Sequence, residues 1–350
     1  MALPLSYVLP LRWTRDDDLA ELAAYVRAVS ELVEEVIVID GSAPELFRRH
    51  GVAFGPEVRH LKPHRDLSFA MGKVNGVATG VREARCERVV IADDDVRYDA
   101  DGLASVAEAL DRADLVRPQN YFEPLVWHAR LDTARILLNR VASGDPDEPA
   151  ADFPGTLGVR RSVFVGMGGY DGNALFENLE LIRTIRAVGG RVASPLDLYV
   201  ARRPPSTSHF VGQRVRQAYD DFALPRRMAA WLTVLPGLLL AARRRRHRPP
   251  LWAAAALCAL AEAGRRRAGG AGVFPASSSL LAPAWVLERG ISAWLALGAR
   301  LRGGARYGGR RIGLAANSPR ELRRRYRPIR TEVGRGSETG PLAASKPISL

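Results

Sequence analysis

The sequence predicts an α/β fold in which helices cover a mostly parallel sheet, followed by a separate helical region. Short apolar runs alternate with segments of helical period along the first half of the chain, which is typical of βαβ units. Acidic residues directly follow two of these runs, at Asp40 and at Asp93, Asp94 and Asp95. Because parallel sheets bind ligands at the carboxyl ends of their strands, the same residues mark the expected site.

Each element follows from its residue pattern, taken in chain order. Strands are predicted where short apolar runs occur, at residues 5–11, 35–39, 88–92 and 114–117. Helices are predicted between these runs, at residues 16–34, 73–85 and 101–112. The first helix has apolar residues at three- and four-residue spacing and begins with aspartates, which suit a helix N-terminus.

The charge of the chain is divided between two unlike parts. The 350 residues include 51 Lys and Arg against 38 Asp and Glu, a net charge of +13. Residues 226–330 hold 22 Arg against three Glu, so residues 1–225 are acidic overall. A basic excess suggests nucleic acid or an anionic membrane as a partner. The arginine stretch at residues 300–330 has no recognised nucleic-acid-binding motif, so we expect a membrane and no nucleic acid.

Composition excludes several other classes of protein. A hydrophobic fraction of 47% with 25% charged residues is typical of a globular protein and not of a disordered chain. Cys86 and Cys258 are the only cysteines, which excludes a disulfide framework and a Cys-rich zinc site. The N-terminus lacks the basic region of a signal peptide, so we expect the first half of the protein to stay in the cytoplasm.

Three adjacent aspartates at the end of a buried strand need a chemical reason. The like charges at residues 93–95 repel one another unless a cation or water screens them. A hard divalent ion such as Mg²⁺ or Mn²⁺ takes carboxylate oxygens and leaves positions open for diphosphate oxygens. On these three residues alone, a solvated Asp-rich turn is the alternative.

A series of short motifs continues through the first half of the chain. They occur at residues 7–11, 36–42, 72–76, 89–96, 155–164, 168–171, 177–181 and 186–191. In this order they resemble the motifs of the family 2 inverting glycosyltransferases, which have the Rossmann-like GT-A fold. The resemblance is to a membrane-associated member of that family. The resemblance covers roughly residues 5–225, and it is the order of the motifs that makes it specific.

The resemblance implies a donor site with a bound metal ion. Asp93 and Asp95 match the outer residues of an Asp-x-Asp motif and would hold Mg²⁺ or Mn²⁺ on the donor diphosphate, with His209 as a third ligand. The nucleotide-sugar would be bound by Asp40, Lys73 and Asp94, the last at the variable middle place of the motif. For Lys73, the alternative is a surface lysine at the start of a helix.

Inversion at the anomeric carbon also needs a base within hydrogen-bond reach of the acceptor hydroxyl. In the family this base is the Asp of a Glu-Asp pair, whereas this chain has Glu177-Asn178, and Asn cannot take a proton. Glu177 is therefore the first catalytic candidate, and Glu180, one helical turn further on, is the second. The alternative for Glu177 is a helix N-terminal carboxylate stabilised by the helix dipole.

Gln213 and Arg216 match two positions of the Gln-x-x-Arg-Trp motif of membrane-bound family members, which implies an acceptor or product site. Gln217 replaces the Trp and cannot supply a stacking platform. The replacement favours addition of a single sugar over processive synthesis of a polymer. The alternative for this segment is a basic amphipathic helix that leads to the membrane.

The second half of the chain has features of a membrane-associated region. Uncharged runs lie at residues 228–242, 249–261 and 268–287, and arginine clusters flank them. Only the last run reaches the roughly 20 residues of a transmembrane helix, and the two shorter runs favour a membrane-dipping hairpin. A helical subdomain packed on the catalytic domain is the alternative. The arginine-rich stretch after residue 300 is expected to bind the anionic surface, and residues 331–350 to be disordered.

These patterns predict a catalytic domain at residues 1–225, membrane-associated helices at 226–300 and a basic, partly disordered tail at 301–350. The predicted function is metal-dependent transfer of a hexose, with inversion, from a nucleotide-diphosphate sugar to a lipid-linked or hydrophobic acceptor at the cell membrane. A nucleotidyltransferase is disfavoured because it would need a Gly-rich loop after the first strand, and residues 10–18 contain no glycine. A non-catalytic, membrane-bound scaffold that binds nucleotide-sugars is a third hypothesis, motivated by Asn178 and Gln217.

Overall fold

The computed structural model describes residues 2–16, 18–142 and 155–328. The strands, in chain order, are β1 (Leu3–Leu11), β2 (Val33–Asp40), β3 (Val58–Leu61), β4 (Arg88–Ala92), β5 (Val96–Arg97), β6 (Leu115–Val116), β7 (Gln119–Phe122), β8 (Thr156–Arg160), β9 (Val192–Ala193), β10 (Tyr199–Arg202), β11 (Ala305–Tyr307) and β12 (Arg310–Ile312). The helices are α1 (Leu19–Ser30), α2 (Pro44–Phe54), α3 (Gly72–Glu83), α4 (Ala100–Ala109), α5 (Trp127–Ala142), α6 (Arg161–Gly166), α7 (Glu177–Ala187), α8 (Thr207–Tyr219), α9 (Pro225–Arg243), α10 (Arg248–Arg266), α11 (Ala276–Ser279), α12 (Ala282–Leu301) and α13 (Pro319–Arg325). Short 3-10 helices lie at Asp220–Ala223 and Arg267–Gly272.

The central sheet has seven strands in the order β3-β2-β1-β4-β8-β6-β9. Strands β1 to β4 run parallel to one another, whereas β8 is antiparallel to both of its neighbours, β4 and β6. A smaller sheet pairs β10 with β5 and β7, and β11 and β12 form a hairpin. The predicted α/β class with a mostly parallel central sheet is confirmed.

Side chains that alternate along the strands divide the core between the two faces of the sheet. Val8 and Ile39 belong to a buried cluster that includes α3, and Leu9 and Val38 belong to one that includes α1 and α4. This is the two-residue period of a strand with helices on both faces. Helix α3 lies very close to β1, because a Cβ at Gly80 would overlap Cγ1 of Val8. The close packing places the first turn of α3 beside the end of β1.

The strands and helices predicted for residues 5–117 are all present, with bounds that differ by a few residues. Helix α2 and strand β3 had not been predicted. Within α2 only His50 and Phe54 are buried, so this helix has little apolar periodicity to detect.

Of the three long helices, α10 and α12 pack on α5, α12 also packs on α8, and α9 packs on α12. Leu137, Phe274 and Trp285 share a buried cluster there, and a Cβ at Gly264 on α10 would overlap the backbone of Leu137. Over residues 2–16, 18–142 and 155–328, no helix is both long and apolar enough to cross a membrane, so the predicted transmembrane helix is not found. The run 268–287 is divided among a 3-10 helix, α11 and the start of α12.

The first part of the predicted tail folds back onto the segments around α7 and α8. The N–H groups of Leu175 and Phe176 donate to the carbonyls of Leu314 and Ala315, at 2.9 and 2.8 Å. The hydroxyl of Tyr219 donates to the carbonyl of Gly313 at 2.8 Å. These hydrogen bonds dock the described part of the predicted tail, residues 301–328. The disorder expected for residues 331–350 lies outside the described residues, and the domain boundary at 225 stays a prediction.

Candidate active site

A cleft of about 760 Å³ lies at the carboxyl ends of β1, β2 and β4. Arg12, Gly41 and Asp93, each just past the end of one of these strands, line it. Residues of α7, α8, α9, α12 and the β11–β12 hairpin also line the cleft. The cleft therefore lies where ligands of parallel α/β sheets bind.

Two of the three aspartates after β4, Asp93 and Asp95, are held by cations from two other elements. Lys73, in the first turn of α3, places Nζ 2.6 Å from Oδ1 of Asp93. Arg202, the last residue of β10, places Nε 2.8 Å from Oδ2 of Asp95 and an outer guanidinium nitrogen 3.7 Å from Oδ2 of Asp93. Gly155 leaves room for this arrangement, since a Cβ there would lie 2.8 Å from Oδ2 of Asp93. The motif residue Gly155 thus has a steric role at the site.

Asp95 has an uncommitted oxygen. Its Oδ1 is buried and has no hydrogen-bond partner among the described residues. Burial raises the pKa of Asp95 above its ordinary value, Arg202 opposes that change, and repulsion from Asp93 and Asp94 adds to it. A bare, buried carboxylate oxygen surrounded by like charges is a suitable ligand for a hard divalent ion.

The residues present fit a divalent metal ion that would also be held by the phosphates of a bound ligand. In the part of the chain that the structure describes, no three His, Cys, Asp or Glu side chains converge as a metal site. Mg²⁺ is commonly held by one or two carboxylates together with substrate phosphates, so Asp93 and Asp95 would suffice when a diphosphate is bound. The predicted ligand His209 lines the cleft but is exposed, and Gln213 contacts it through their Nε2 atoms. Its role as a third ligand stays a prediction.

Glu177 lies in the cleft at the start of α7. Its Oε1 is 2.7 Å from Nζ of Lys73, which therefore joins Glu177 to Asp93. Burial raises the pKa of Glu177, and Lys73 opposes the change. For Lys73 the balance is the reverse: burial would lower its pKa, but Asp93 and Glu177 outweigh burial and raise it. The structure thus places Lys73 between the predicted metal ligands and the predicted base.

Glu180 does not share this position. It is fully buried, and the described residues that line the cleft do not include it. Its two oxygens accept hydrogen bonds from the backbone N–H and the side-chain amide of Asn317, at 2.7 and 2.8 Å. Glu180 therefore anchors the returning C-terminal segment, and the geometry gives it no access to an acceptor.

Asp40 is also buried, with 1% of its surface exposed, and it lies beneath the cleft wall. Its Oδ2 contacts Nδ1 of His50 at 2.6 Å and Nε2 of His60 at 3.1 Å, and its Oδ1 accepts from the N–H of Ser42 at 2.8 Å. Burial would raise the pKa of Asp40, but hydrogen bonds from His60, Ser42 and His50 outweigh burial and lower it to about 2. The carboxylate stabilises the turn after β2, and direct contact with a nucleotide stays a prediction.

A hydrogen-bonded chain links this turn to the aspartates. The backbone N–H of Trp13 donates to Oγ of Ser42 at 2.8 Å, and the indole N–H of Trp13 donates to Oδ2 of Asp94. Burial raises the pKa of Asp94 and this hydrogen bond opposes the change. Asp94 lines the cleft, although one of its oxygens is occupied by Trp13.

The predicted acceptor residues lie on α8 at the other side of the cleft. Arg216 donates to Oε1 of Gln213 at 3.1 Å, and its guanidinium lies 5.8 Å from the ring centre of Tyr307. Tyr307 comes from the β11–β12 hairpin and supplies an aromatic ring to the cleft that Gln217 also lines. The sequence does not indicate Tyr307, because this residue lies 90 positions after Gln217, in the segment predicted to be a tail.

Asp220 is a further cleft residue that the sequence did not indicate. It follows α8 directly, and its Oδ1 is buried without a hydrogen-bond partner among the residues described. Burial raises the pKa of Asp220 to about 7. Arg289 of α12 lines the same cleft and is 2% exposed, with 3.7 Å between its guanidinium and Asp221. Neither Asp220 nor Arg289 belongs to a recognisable motif, so only the proximity of the helices identifies them.

Comparison with known proteins gives matches among solved structures. No protein-family model matches the chain, and no curated protein sequence matches it. The mannosyltransferase PcManGT from Pyrobaculum calidifontis, in complex with GDP-Man and Mn²⁺, is 19% identical, with 84% of this chain and 88% of that chain covered and a TM-score of 0.48.

Two phosphoglycerate enzymes are also similar. Glucosyl-3-phosphoglycerate synthase from Mycobacterium tuberculosis, with Mn²⁺, UDP and glucosyl-3-phosphoglycerate, is 19% identical over 59% of this chain and 74% of that chain, with a TM-score of 0.38. Mannosyl-3-phosphoglycerate synthase from Rubrobacter xylanophilus is 17% identical over 61% and 70%, with a TM-score of 0.41. At these identities and TM-scores the likeness carries no argument about activity, so a functional conclusion has to rest on the cleft itself.

Proposed function

We propose that this chain is a family 2 glycosyltransferase of the GT-A fold, which transfers a hexose with inversion from a nucleotide-diphosphate sugar to a lipid-linked or hydrophobic acceptor. The observation that carries the proposal is the end of β4, where Asp93 and Asp95 line a cleft and a buried oxygen of Asp95 is unpaired. A carboxylate pair at this edge of a parallel sheet suits a metal-bound diphosphate. The cofactor would be Mg²⁺ or Mn²⁺.

The charges of the cleft support binding of a diphosphate. A bound divalent ion neutralises charge that grows on the leaving diphosphate. Lys73 and Arg202 lie beside the same carboxylates and would remain as cations for phosphate oxygens. Gly72, the first residue of α3, lines the cleft, so the positive end of that helix faces it as well. The acceptor hydroxyl would lose its proton to a cleft carboxylate, for which Glu177 is the candidate from the sequence.

The exposed faces of the C-terminal helices support a membrane-bound acceptor. Large apolar side chains are exposed on α9, α10 and α12, among them Leu239 (61%), Trp252 (74%) and Leu295 (55%). Exposed arginines at 243–246 lie at the end of α9 and in its connection to α10, where they match an anionic leaflet. Arg227 of α9 and Arg289 of α12 line the cleft, so the same helices reach the site. We propose attachment to the cytoplasmic face of the cell membrane through these exposed side chains.

The donor proposal is tested with a panel of UDP- and GDP-sugars, each with and without Mn²⁺ or Mg²⁺. We expect one donor to raise the melting temperature only when metal is present, because a ligand at 100 times its Kd stabilises by about 2.7 kcal/mol. Turnover of that donor should release the nucleoside diphosphate. Release of pyrophosphate would indicate a nucleotidyltransferase, and metal-dependent binding without turnover on any acceptor would indicate a scaffold.

The membrane proposal predicts binding to vesicles that contain an anionic phospholipid. We expect the protein to sediment with them, less with pure phosphatidylcholine vesicles, and less again at high salt, because each arginine contributes about 1 kcal/mol near an anionic surface. Trp252→Ser should weaken binding. Val52→Ser is the matched control, since Val52 is 86% exposed on α2, in the catalytic part. Equal binding by both variants would contradict the proposed surface.

A further inference from the structure

We propose that Asp220 accepts the proton of the acceptor hydroxyl, a role that rests on the glycosyltransferase function proposed for this cleft. Asp220 begins the 3-10 helix after α8 and lines the cleft. Its Oδ1 is buried and unpaired among the described residues, so this oxygen can receive a proton without first losing a partner. Asn178, at the position where the family has its base, cannot receive one.

The neighbouring carboxylates are more strongly engaged than Asp220. Oε1 of Glu177 is 2.7 Å from Nζ of Lys73, and protonation of Glu177 would forfeit that ion pair. Asp221 has Oδ1 at 3.1 Å from Nε of Arg227, and it also faces Arg289. Asp93 and Asp95 are held by Lys73 and Arg202, respectively. We therefore assign Glu177 to positioning of Lys73 and Asp220 to the proton.

The charges around Asp220 suit a base that works near neutral pH. Burial is the main cause that raises the pKa of Asp220 to about 7. Two cations, Arg216 of α8 and Arg289 of α12, lower this pKa. Two carboxylates, the adjacent Asp221 and Glu177 of α7, raise it further. A general base is most effective when its pKa is close to the working pH, because it is then both ionised and basic. An ordinary exposed aspartate would be ionised but only weakly basic.

The step balances without an additional reactant. The acceptor hydroxyl gives its proton to Asp220 while its oxygen forms a bond to the anomeric carbon of the sugar. The bond between that carbon and the donor diphosphate oxygen breaks, and its electron pair leaves with the nucleoside diphosphate. Asp220 then returns the proton to solvent.

The test compares the pH dependence of kcat for the full-length protein, Asp220→Asn and Glu177→Gln with the donor identified by the panel. In the unmodified protein kcat should rise tenfold per pH unit below about pH 7 and level off above it. Asp220→Asn should lower kcat at least about 100-fold and abolish this rise. Its metal-dependent donor shift in melting temperature should be retained, because donor binding does not use this proton. Asp197→Asn, at an exposed loop position, is the control for an aspartate outside the cleft.

The melting temperature of Asp220→Asn gives a second test that does not depend on enzyme activity. The pKa of Asp220 is about 7 in the folded state and 3.8 ordinarily. The free energy of unfolding should therefore fall as the pH rises from about 4 to about 7, because only the unfolded state ionises freely in that range. Asp220→Asn should therefore melt higher than the unmodified protein at pH 8, but not at pH 4. A kcat of Asp220→Asn within fivefold of that of the unmodified protein would overturn the assignment. It would also be overturned if Glu177→Gln lost the rise of kcat with pH while Asp220→Asn kept it. Absence of turnover in the unmodified protein would instead overturn the proposed function.

Discussion

The Asp95→Asn variant is expected to lose at least about 100-fold in transfer rate while keeping its thermal stability. Asn has the shape of Asp, and its amide oxygen can still accept from Arg202, which lies 2.8 Å from Oδ2 of Asp95. The substitution removes one of three adjacent negative charges, and the pKa of Asp95 is already raised by burial and by its acidic neighbours. The folded protein therefore loses little, whereas a divalent ion loses a carboxylate ligand.

The measurement pairs the transfer rate with the metal-dependent thermal shift produced by the donor. In Asp95→Asn both should be lost together, because in the proposed function this carboxylate would hold the metal ion that binds the donor diphosphate. Asp101→Asn is the matched control, since Asp101 is exposed on the first turn of α4, six residues further along the chain. Normal turnover by Asp95→Asn would sink the metal assignment, and equal losses in both variants would point to a general electrostatic effect.

The Asp40→Ala variant is expected to lower the free energy of unfolding by about 3 kcal/mol. The substitution leaves His50, which is fully buried, without the carboxylate 2.6 Å from its Nδ1. It also removes the acceptor of the Ser42 N–H, which supports the turn that contacts Trp13. Donor binding should weaken as well, because Trp13 in turn donates to Asp94.

The effect of Asp40→Ala should depend on pH with a definite sign. The folded-state pKa of about 2 lies below the ordinary 3.8, so stabilisation by the ionised carboxylate is complete above about pH 4 and is lost as pH falls through 2. Urea unfolding should show a larger gap between variant and unmodified protein at pH 6 than at pH 3. Asp66→Ala, which removes a mostly exposed ion pair with Arg82, should cost less than about 1 kcal/mol. A gap that widens at low pH would contradict this account.

The part of the cleft at the end of β4 was largely predictable from the sequence. Asp93 and Asp95 directly follow a buried strand, and Lys73 lies in the first turn of a predicted helix. Both features depend on short stretches of chain, since strand ends and helix starts follow local patterns. The structure adds that Lys73 contacts Asp93 and Glu177 together, which joins elements about 100 residues apart.

The choice between carboxylates on α7 could not be made from spacing alone. Glu177 and Glu180 are one turn apart, which predicts that they share a face of the helix. Glu177 lines the cleft, whereas Glu180 binds Asn317, because the returning C-terminal segment covers that part of α7. A helical period says which residues are neighbours, but not what packs over them.

By itself, the sequence determined the α/β class, the strand ends at Asp40 and Asp93, and the division between an acidic first part and an arginine-rich second part. These properties are local or compositional, so no distant contact is needed to recognise them. Only the tertiary structure decided that Asp220, Arg289 and Tyr307 line the cleft, and that the β11–β12 hairpin forms part of its wall. Those results depend on contacts between segments far apart in the chain, which no local pattern encodes.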